Sequence, residues 1–254
     1  MTLDQIDKAA RLLVSARRER RQIDRLPESC RPSTDDEALA IQQRVVALLD
    51  DHIAGWKCSL PRNDHAFLAP LPASTISRTS PCPIVPHAGE ALIEPEIAVV
   101  LGKDLPPRNT SYDENEVRAA VAEARLVLEL IGSRYIDPNS LPFPEFLADS
   151  INNQGFFVGP PVTSPFERPL ETLTITVSGK EGTMITHDGR HPNGHPLRPL
   201  VWLANFCSSR GETLKAGTIV TTGSYAGILE VPLHTLLTVT YGDLGKLDVI
   251  FGTY

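Results

Sequence analysis

The sequence predicts an α+β fold, and three observations carry that expectation. Residues 3–25 and a segment beginning at Thr34 show helical apolar spacing, with Pro27 and Pro32 between them. Two apolar runs, 92–102 and 125–134, read as buried strands. From Leu173 to Phe251, apolar and polar residues alternate as they do in half-buried strands.

The chain has 254 residues, enough for one large domain or a domain with a small helical extension. Its 24 Lys and Arg stand against 31 Asp and Glu, for a net charge of −7, which argues against a nucleic-acid surface. No stretch approaches the ~20 apolar residues of a membrane span. Cys30, Cys58, Cys82 and Cys207 lack Cys-x-x-Cys spacing and read as free thiols in a reducing compartment. The start has no basic-then-apolar signal pattern, so a cytoplasmic location is expected.

In the first helix Ile6, Ala9, Ala10 and Leu13 share a face. Arg17, Arg18, Arg20, Arg21 and Arg25 follow, and a solvated face is the expected reading in so acidic a chain. Thr34 to Glu37 has the form of a capping box, and Ile41, Val45, Leu48 and Leu49 give the second helix its apolar face, with an end near Gly55. Gly55-Trp56-Lys57 opens a strand-like run. Lys57 either snorkels over Trp56 or points into a site as a proton carrier. Six prolines mark residues 61–90 as a loop or lid holding Asp64 and His65. Residues 112–124 are expected to be helical, with Val117, Val121 and Ala124 on one face. Polar residues 149–154 precede a short apolar strand and suit turns or carboxylate donors. A helix over 199–206 interrupts the C-terminal strands.

Leu92 to Gly102 carries the chemistry. Glu94 and Glu96 lie two positions apart in a strand and so project from one face. Two carboxylates there repel each other and resist burial. An edge strand wetted by solvent satisfies them. So does a hard divalent cation, which takes oxygen ligands. Glu129, inside a second apolar run, favours the cation: three acids in strand-like settings make an open carboxylate site.

These residues together resemble the 2-keto-4-pentenoate hydratase and 4-oxalocrotonate decarboxylase group of the fumarylacetoacetate hydrolase superfamily. The family's Ile-Glu-x-Glu-Ile strand matches Glu94 and Glu96, and its Leu-Glu-Ile-x-x-Ser-Arg segment matches Glu129 before Ser133-Arg134. Its Gly-x-Lys-Ile-Gly motif is present as Gly55-Trp56-Lys57 and then departs to Cys58-Ser59. Ala148-Asp149, Val201-Trp202-Leu203-Ala204-Asn205, Gly223-Ser224 and Tyr241-Gly242-Asp243-Leu244-Gly245 match further motifs in order.

The resemblance implies a mixed β-roll with flanking helices, divided into a helical N-terminal region (1–56) and a β-roll catalytic domain (57–254). It implies Mg²⁺ or Mn²⁺ on Glu94, Glu96 and Glu129, Lys57 as proton carrier, and Asn153, Gly223 and Ser224 beside the substrate. The expected activity is hydration of a 2-hydroxy-2,4-dienoate in aromatic-compound catabolism. The alternatives are a 2-oxo acid decarboxylase of the 4-oxalocrotonate type, an acylpyruvate-type C–C hydrolase and a non-catalytic partner subunit. A homo-oligomer, alone or complexed with a related decarboxylase or hydratase, is also expected. Ser74 stands where the group's hydratases carry an acid, and a hydroxyl is a poor general base. His65, with Asp64 beside it, is the candidate substitute.

Overall fold

The structure, a computed structural model, describes residues 1–163, 165–167 and 169–253. Helix α1 (Leu3–Glu19) is capped by reciprocal bonds between Thr2 and Gln5 and ends at Arg20, whose φ of 52° is left-handed. It is shorter than the periodicity predicts, because residue 23 has joined a bridge to Tyr135. Helix α2 (Asp35–Leu48) starts as expected with Thr34 accepting from the Glu37 N–H. Only half of the box forms, since the Glu37 carboxylate turns to the Ser33 N–H and the N-terminal amine. Helix α2 also stops well short of Gly55.

Strand β1 (Ile53–Cys58) follows, then β2 (Leu68–Pro72), β3 (Ile76–Ser77), β4 (Cys82–Pro83) and β5 (Glu90–Leu101). Residues 61–90 are therefore not one lid. All five residues of β2 are buried, and β2 pairs antiparallel with β1 at the edge of a sheet. An edge tolerates Pro70 and Pro72, which lack N–H donors. After the short helix α3 (Glu114–Ala120) the chain enters β6 (Val121–Ile131) directly. Val121 and Ala124, expected on a helix, instead oppose Leu101 and Val99 of β5, where the ladder outweighs helix propensity. Helix α4 (Phe143–Ala148) leads to β7 (Asn153–Val162), β8 (Thr172–Gly179) and β9 (Gly182–Arg190). Helix α5 (Leu197–Ser209) and strands β10 (Ile219–Thr221), β11 (Leu229–Pro232), β12 (Leu236–Tyr241) and β13 (Lys246–Gly252) complete the chain.

One sheet runs β2-β1-β10-β5-β6-β7-β3, with β11 also paired to β5; the second runs β4-β13-β12-β8-β9. Both sheets bury apolar residues in one continuous core, to which α1 and α2 contribute Ala9, Leu13, Ile41 and Val45. The Tyr241 hydroxyl of β12 donates to the Val127 carbonyl of β6 at 2.6 Å and ties the sheets together. This is the expected α+β roll with flanking helices. The N-terminal helices have no core of their own, and β1 starts before residue 57. Among the described residues no helix is long and apolar enough to cross a membrane.

Candidate metal centre and active site

Register builds the site. Strand β5 is central, flanked by β10 and β11 on one side and β6 on the other, so the edge-strand reading of Glu94 and Glu96 does not apply. Glu94 stands directly opposite Glu129 on β6. Along the same face of the sheet, Lys57 of β1 opposes Thr221 of β10, and Thr221 opposes Ala98, two residues on from Glu96. Pro95, in the middle of a central strand, fits because β10 and β11 leave a gap beside it. Its carbonyl accepts there from the Tyr225 N–H at 3.2 Å, and its missing N–H faces the same gap.

Carboxylate oxygens of Glu94, Glu96 and Glu129 lie within 4.8 Å of one another. Glu96 is 3 % and Glu129 1 % exposed. Lys57 Nζ donates to Glu129 Oε1 at 2.5 Å and to the Ile151 carbonyl at 3.2 Å. Asn153 Nδ2 donates to the same Glu129 oxygen at 3.0 Å. The Thr221 hydroxyl and the Gly223 N–H, the latter at 2.9 Å, both donate to Glu96 Oε2. Burial, reinforced by the charge of Glu129, pushes the Glu94 carboxyl up to about 7. Burial and both neighbouring carboxylates raise Glu96 well above its usual range. Burial alone lowers a lysine, but the three carboxylates outweigh it and hold Lys57 above its ordinary value. Fully ionised, the cluster carries more negative charge than one lysine balances, which is why Glu94 and Glu96 hold their protons so strongly. Three oxygen donors in that state suit Mg²⁺ or Mn²⁺, so the residues fit the expected cation.

The turn behind Lys57 is strained. Ser150, Ile151 and Asn152 have φ of 58°, 53° and 58°, a left-handed conformation that is costly for a β-branched residue. A buried ion pair braces it. Arg134 Nε meets Asp149 Oδ1 at 2.5 Å, and Arg134 also donates to the Asp149 and Gly132 carbonyls. The Ser133-Arg134 and Ala148-Asp149 motifs thus act together to aim the Ile151 carbonyl and the Asn153 amide at Lys57 and Glu129. Arg134, buried in this pair, is not placed to meet a substrate.

A cavity of about 300 Å³ opens on the cluster. Lys57, Cys58, Ser59, Arg62, Phe67 and Ile151 line one part of it, and Pro192, Thr221, Gly223, Ser224 and Gly227 another. Burial keeps the Cys58 thiol protonated. Gly223 and Ser224 line this cavity. Asn153 is nearby, but its amide is spent on Glu129 and the Gly155 carbonyl.

His65 and Ser74 are not brought to the cavity. The His65 ring bonds Asp35 through Nδ1 at 3.0 Å and packs on Phe143, with centroids 4.2 Å apart. Ser74 lies on the exposed turn Ala73–Thr75, where its N–H bonds Asp51 at 2.8 Å. It borders a different cavity, of about 820 Å³, beside Arg17, Arg18, Arg20 and Arg21. The reading of residues 61–90 as a lid put both residues too close to the chemistry. Thr221 and Ile151 were missed. Thr221 is visible only through the parallel register of β1 and β10, and Ile151 only through its backbone conformation.

Two glycines are required. A Cβ on Gly55 would meet Ile219 atoms at 2.5 Å, so glycine permits the close approach of β1 to β10. Gly223 has φ of 126°, and its Cβ would meet Pro192 Cγ at 2.6 Å. Gly223→Ala is therefore expected to displace the N–H that serves Glu96. Overpacking should cost about 1–3 kcal/mol of stability, and Mg²⁺ affinity should fall about tenfold as for other outer-sphere changes. Thermal melts with and without Mg²⁺ check both effects.

Residues 49–253 match the fumarylacetoacetate (FAA) hydrolase C-terminal family, and the chain belongs to that family. It is 31% identical over 139 residues to a 2-keto-4-pentenoate hydratase of Paraburkholderia xenovorans (strain LB400), covering 55% of this chain and 51% of the relative. It is 32% identical over 170 residues to a 4-oxalocrotonate decarboxylase of Pseudomonas sp, covering 64% and 61%. The chain thus spans about half to three-fifths of the length of these curated relatives. The fold superposes on 4-oxalocrotonate decarboxylase from Pseudomonas putida G7, complexed with magnesium and adipate. The TM-score is 0.83, with 22% identity and 99% of each chain covered.

Proposed function

We propose that this protein is a divalent-cation-dependent lyase acting on a small 2-oxo acid, and that it releases CO₂ from a 2-oxo-enoic acid in preference to adding water to one. The cavity wall carries the choice. Beyond the three clustered glutamates, no carboxylate and no imidazole of the described residues lines it. Adding water calls for a general base within reach of that water, and Ser74 and His65, the two candidates, lie elsewhere. Loss of CO₂ needs none. The bond to the departing carboxylate carbon breaks, its electron pair moves along the conjugated chain to the 2-oxo oxygen, and a proton then returns to carbon.

Glu94, Glu96 and Glu129 are the proposed ligands, and a dication held by them supplies positive charge where the 2-oxo oxygen becomes negative. Lys57 faces the same space with three N–H donors, two of them engaged, and is the group placed to return the proton. Asn153 holds Glu129 in orientation. Ser224, whose hydroxyl now bonds the Pro95 and Gly227 carbonyls, is the candidate donor to the substrate's 1-carboxylate. Names of relatives support the class and include both reactions. A non-catalytic subunit is disfavoured, because three buried acids without a cation cost stability. We extend the proposal to a cytoplasmic homo-oligomer, alone or with a related subunit.

The test is incubation with 4-oxalocrotonate and, separately, 2-hydroxypenta-2,4-dienoate, each with Mg²⁺. CO₂ release from the first is expected, with little 4-hydroxy-2-oxo acid from the second. Rapid hydration without decarboxylation would reverse the choice. His65→Ala is expected to leave turnover near the wild-type rate. A loss near the ~10²-fold expected of a general base would return His65 to the site.

A further inference from the structure

The cavity of about 820 Å³ at the end of α1 shares no lining residue with the one that opens on the glutamates. Backbone bonds place it. The left-handed Arg20 ends α1, and the Ile23 N–H then donates to the Arg134 carbonyl at 2.8 Å. The Ile136 N–H returns a bond to the Ile23 carbonyl at 3.0 Å. The last turn of α1 is thereby fixed beside the end of β6.

Arg17, Arg18, Arg20 and Arg21, expected from sequence to form a solvated face, line this cavity together with His87 and Arg134. No Asp or Glu of the described residues lines it, although acids outnumber bases in the chain. A basic wall cleared of acids suits an anion better than it suits water alone. Arg18 donates to the Leu48 carbonyl at 3.0 Å, and Arg21 pairs with the exposed Glu19. A guanidinium carries five N–H donors, so each of these two keeps others for a ligand.

Two more observations describe the rest of that ligand. Ile136 and Ile228 line the same cavity and are 59 % and 52 % exposed, an apolar surface that a ring would cover. Asn152, also on the wall, has its Oδ1 buried with no donor among the described residues. A buried acceptor of this kind calls for an N–H or O–H. The volume lies in the range of small-molecule sites.

We infer that this cavity binds an organic phosphate with two or more negative charges, an apolar ring and a hydrogen-bond donor, the chemistry of a nucleoside diphosphate. The guanidinium forks match the phosphate oxygens. The two isoleucines cover the ring, and Asn152 accepts from the donor. The site is separate from the metal centre and does not depend on which reaction runs there.

The test is calorimetry with ADP, inorganic pyrophosphate and adenosine on the full chain freed of divalent cation. Without the cation the glutamate cluster repels anions, so binding reports the arginine cavity. ADP is expected to bind about tenfold tighter than either pyrophosphate or adenosine, and its affinity should fall in salt. The double variant Arg18→Gln, Arg21→Gln should weaken ADP and pyrophosphate about tenfold or more. Both side chains are exposed, so Tm should stay near the wild-type value. Ile136→Ser should weaken ADP and leave pyrophosphate unchanged. Absence of ADP binding at millimolar concentration overturns the inference. So does ADP binding no tighter than pyrophosphate or adenosine, or an ADP affinity that survives in the double variant.

Discussion

Replacing Glu129 by Gln is expected to abolish divalent-cation binding and, with it, turnover. Glu129 is the junction of the site. It opposes Glu94 across β5 and β6, and its Oε1 accepts from both Lys57 and Asn153. An amide keeps the shape but removes the charge, so the cation loses a ligand and Lys57 its counter-ion. The loss of Mg²⁺ affinity should exceed the ~10–100-fold typical of groups that only support a ligand. Titration calorimetry checks this, and an unchanged Mg²⁺ affinity would sink the assignment.

The metal-free protein offers a second view of the same cluster. The Glu94 carboxyl, ordinarily at 4.5, is held at about 7 in the fold. Between those values the folded state binds more protons than the unfolded state, so stability falls as pH rises. The loss begins near pH 4.5, is complete above pH 7 and amounts to roughly 3 kcal/mol at ~1.4 kcal/mol per unit. Mg²⁺, which favours the ionised form, should raise Tm more at pH 7.5 than at pH 5. Melts at both values, with and without Mg²⁺, read the difference directly. A stabilisation independent of pH would mean that the ion binds away from the carboxylates.

What could be read from sequence was local. The two-residue spacing of Glu94 and Glu96 fixes a shared face in any strand, and the apolar setting of Glu129 marked it as a strand residue under stress. Register was not local. Nothing in the composition of β6 says that Glu129 stops opposite Glu94 rather than two residues away, and a hydroxyl such as Thr221 gains meaning only from the β1–β10 pairing. Prolines misled at residues 61–90, because Pro70 and Pro72 mark an edge strand there as readily as a loop. The helix expected over 112–124 failed at Val121, where pairing with β5 decides the conformation. Polar residues 149–154 suggested carboxylate donors, yet Asp149 is spent on Arg134.

Lys57→Ala is expected to separate binding from chemistry. Lys57 is 14 % exposed and reaches the cavity from β1, its ammonium held between Glu129 and the Ile151 carbonyl. Removing it deletes the proton carrier but leaves all three carboxylates in place. Without Lys57 the cluster is more negative, so Mg²⁺ should bind at least as well as in the wild type. Turnover should fall by about 10²–10⁴, the range for a positioned proton-transfer group. Solvent deuterium reports the step: incorporation at the product carbon should slow, while the first CO₂ released per site does not, because CO₂ leaves before the proton returns. Lys57→Arg is the sharper control. Its guanidinium keeps the charge but does not give up a proton in this pH range. If charge alone matters, Arg restores the rate; if proton return matters, Lys57→Arg stays as slow as Lys57→Ala. Near-normal turnover in Lys57→Ala would reduce Lys57 to a counter-ion that keeps three carboxylates together until a cation arrives.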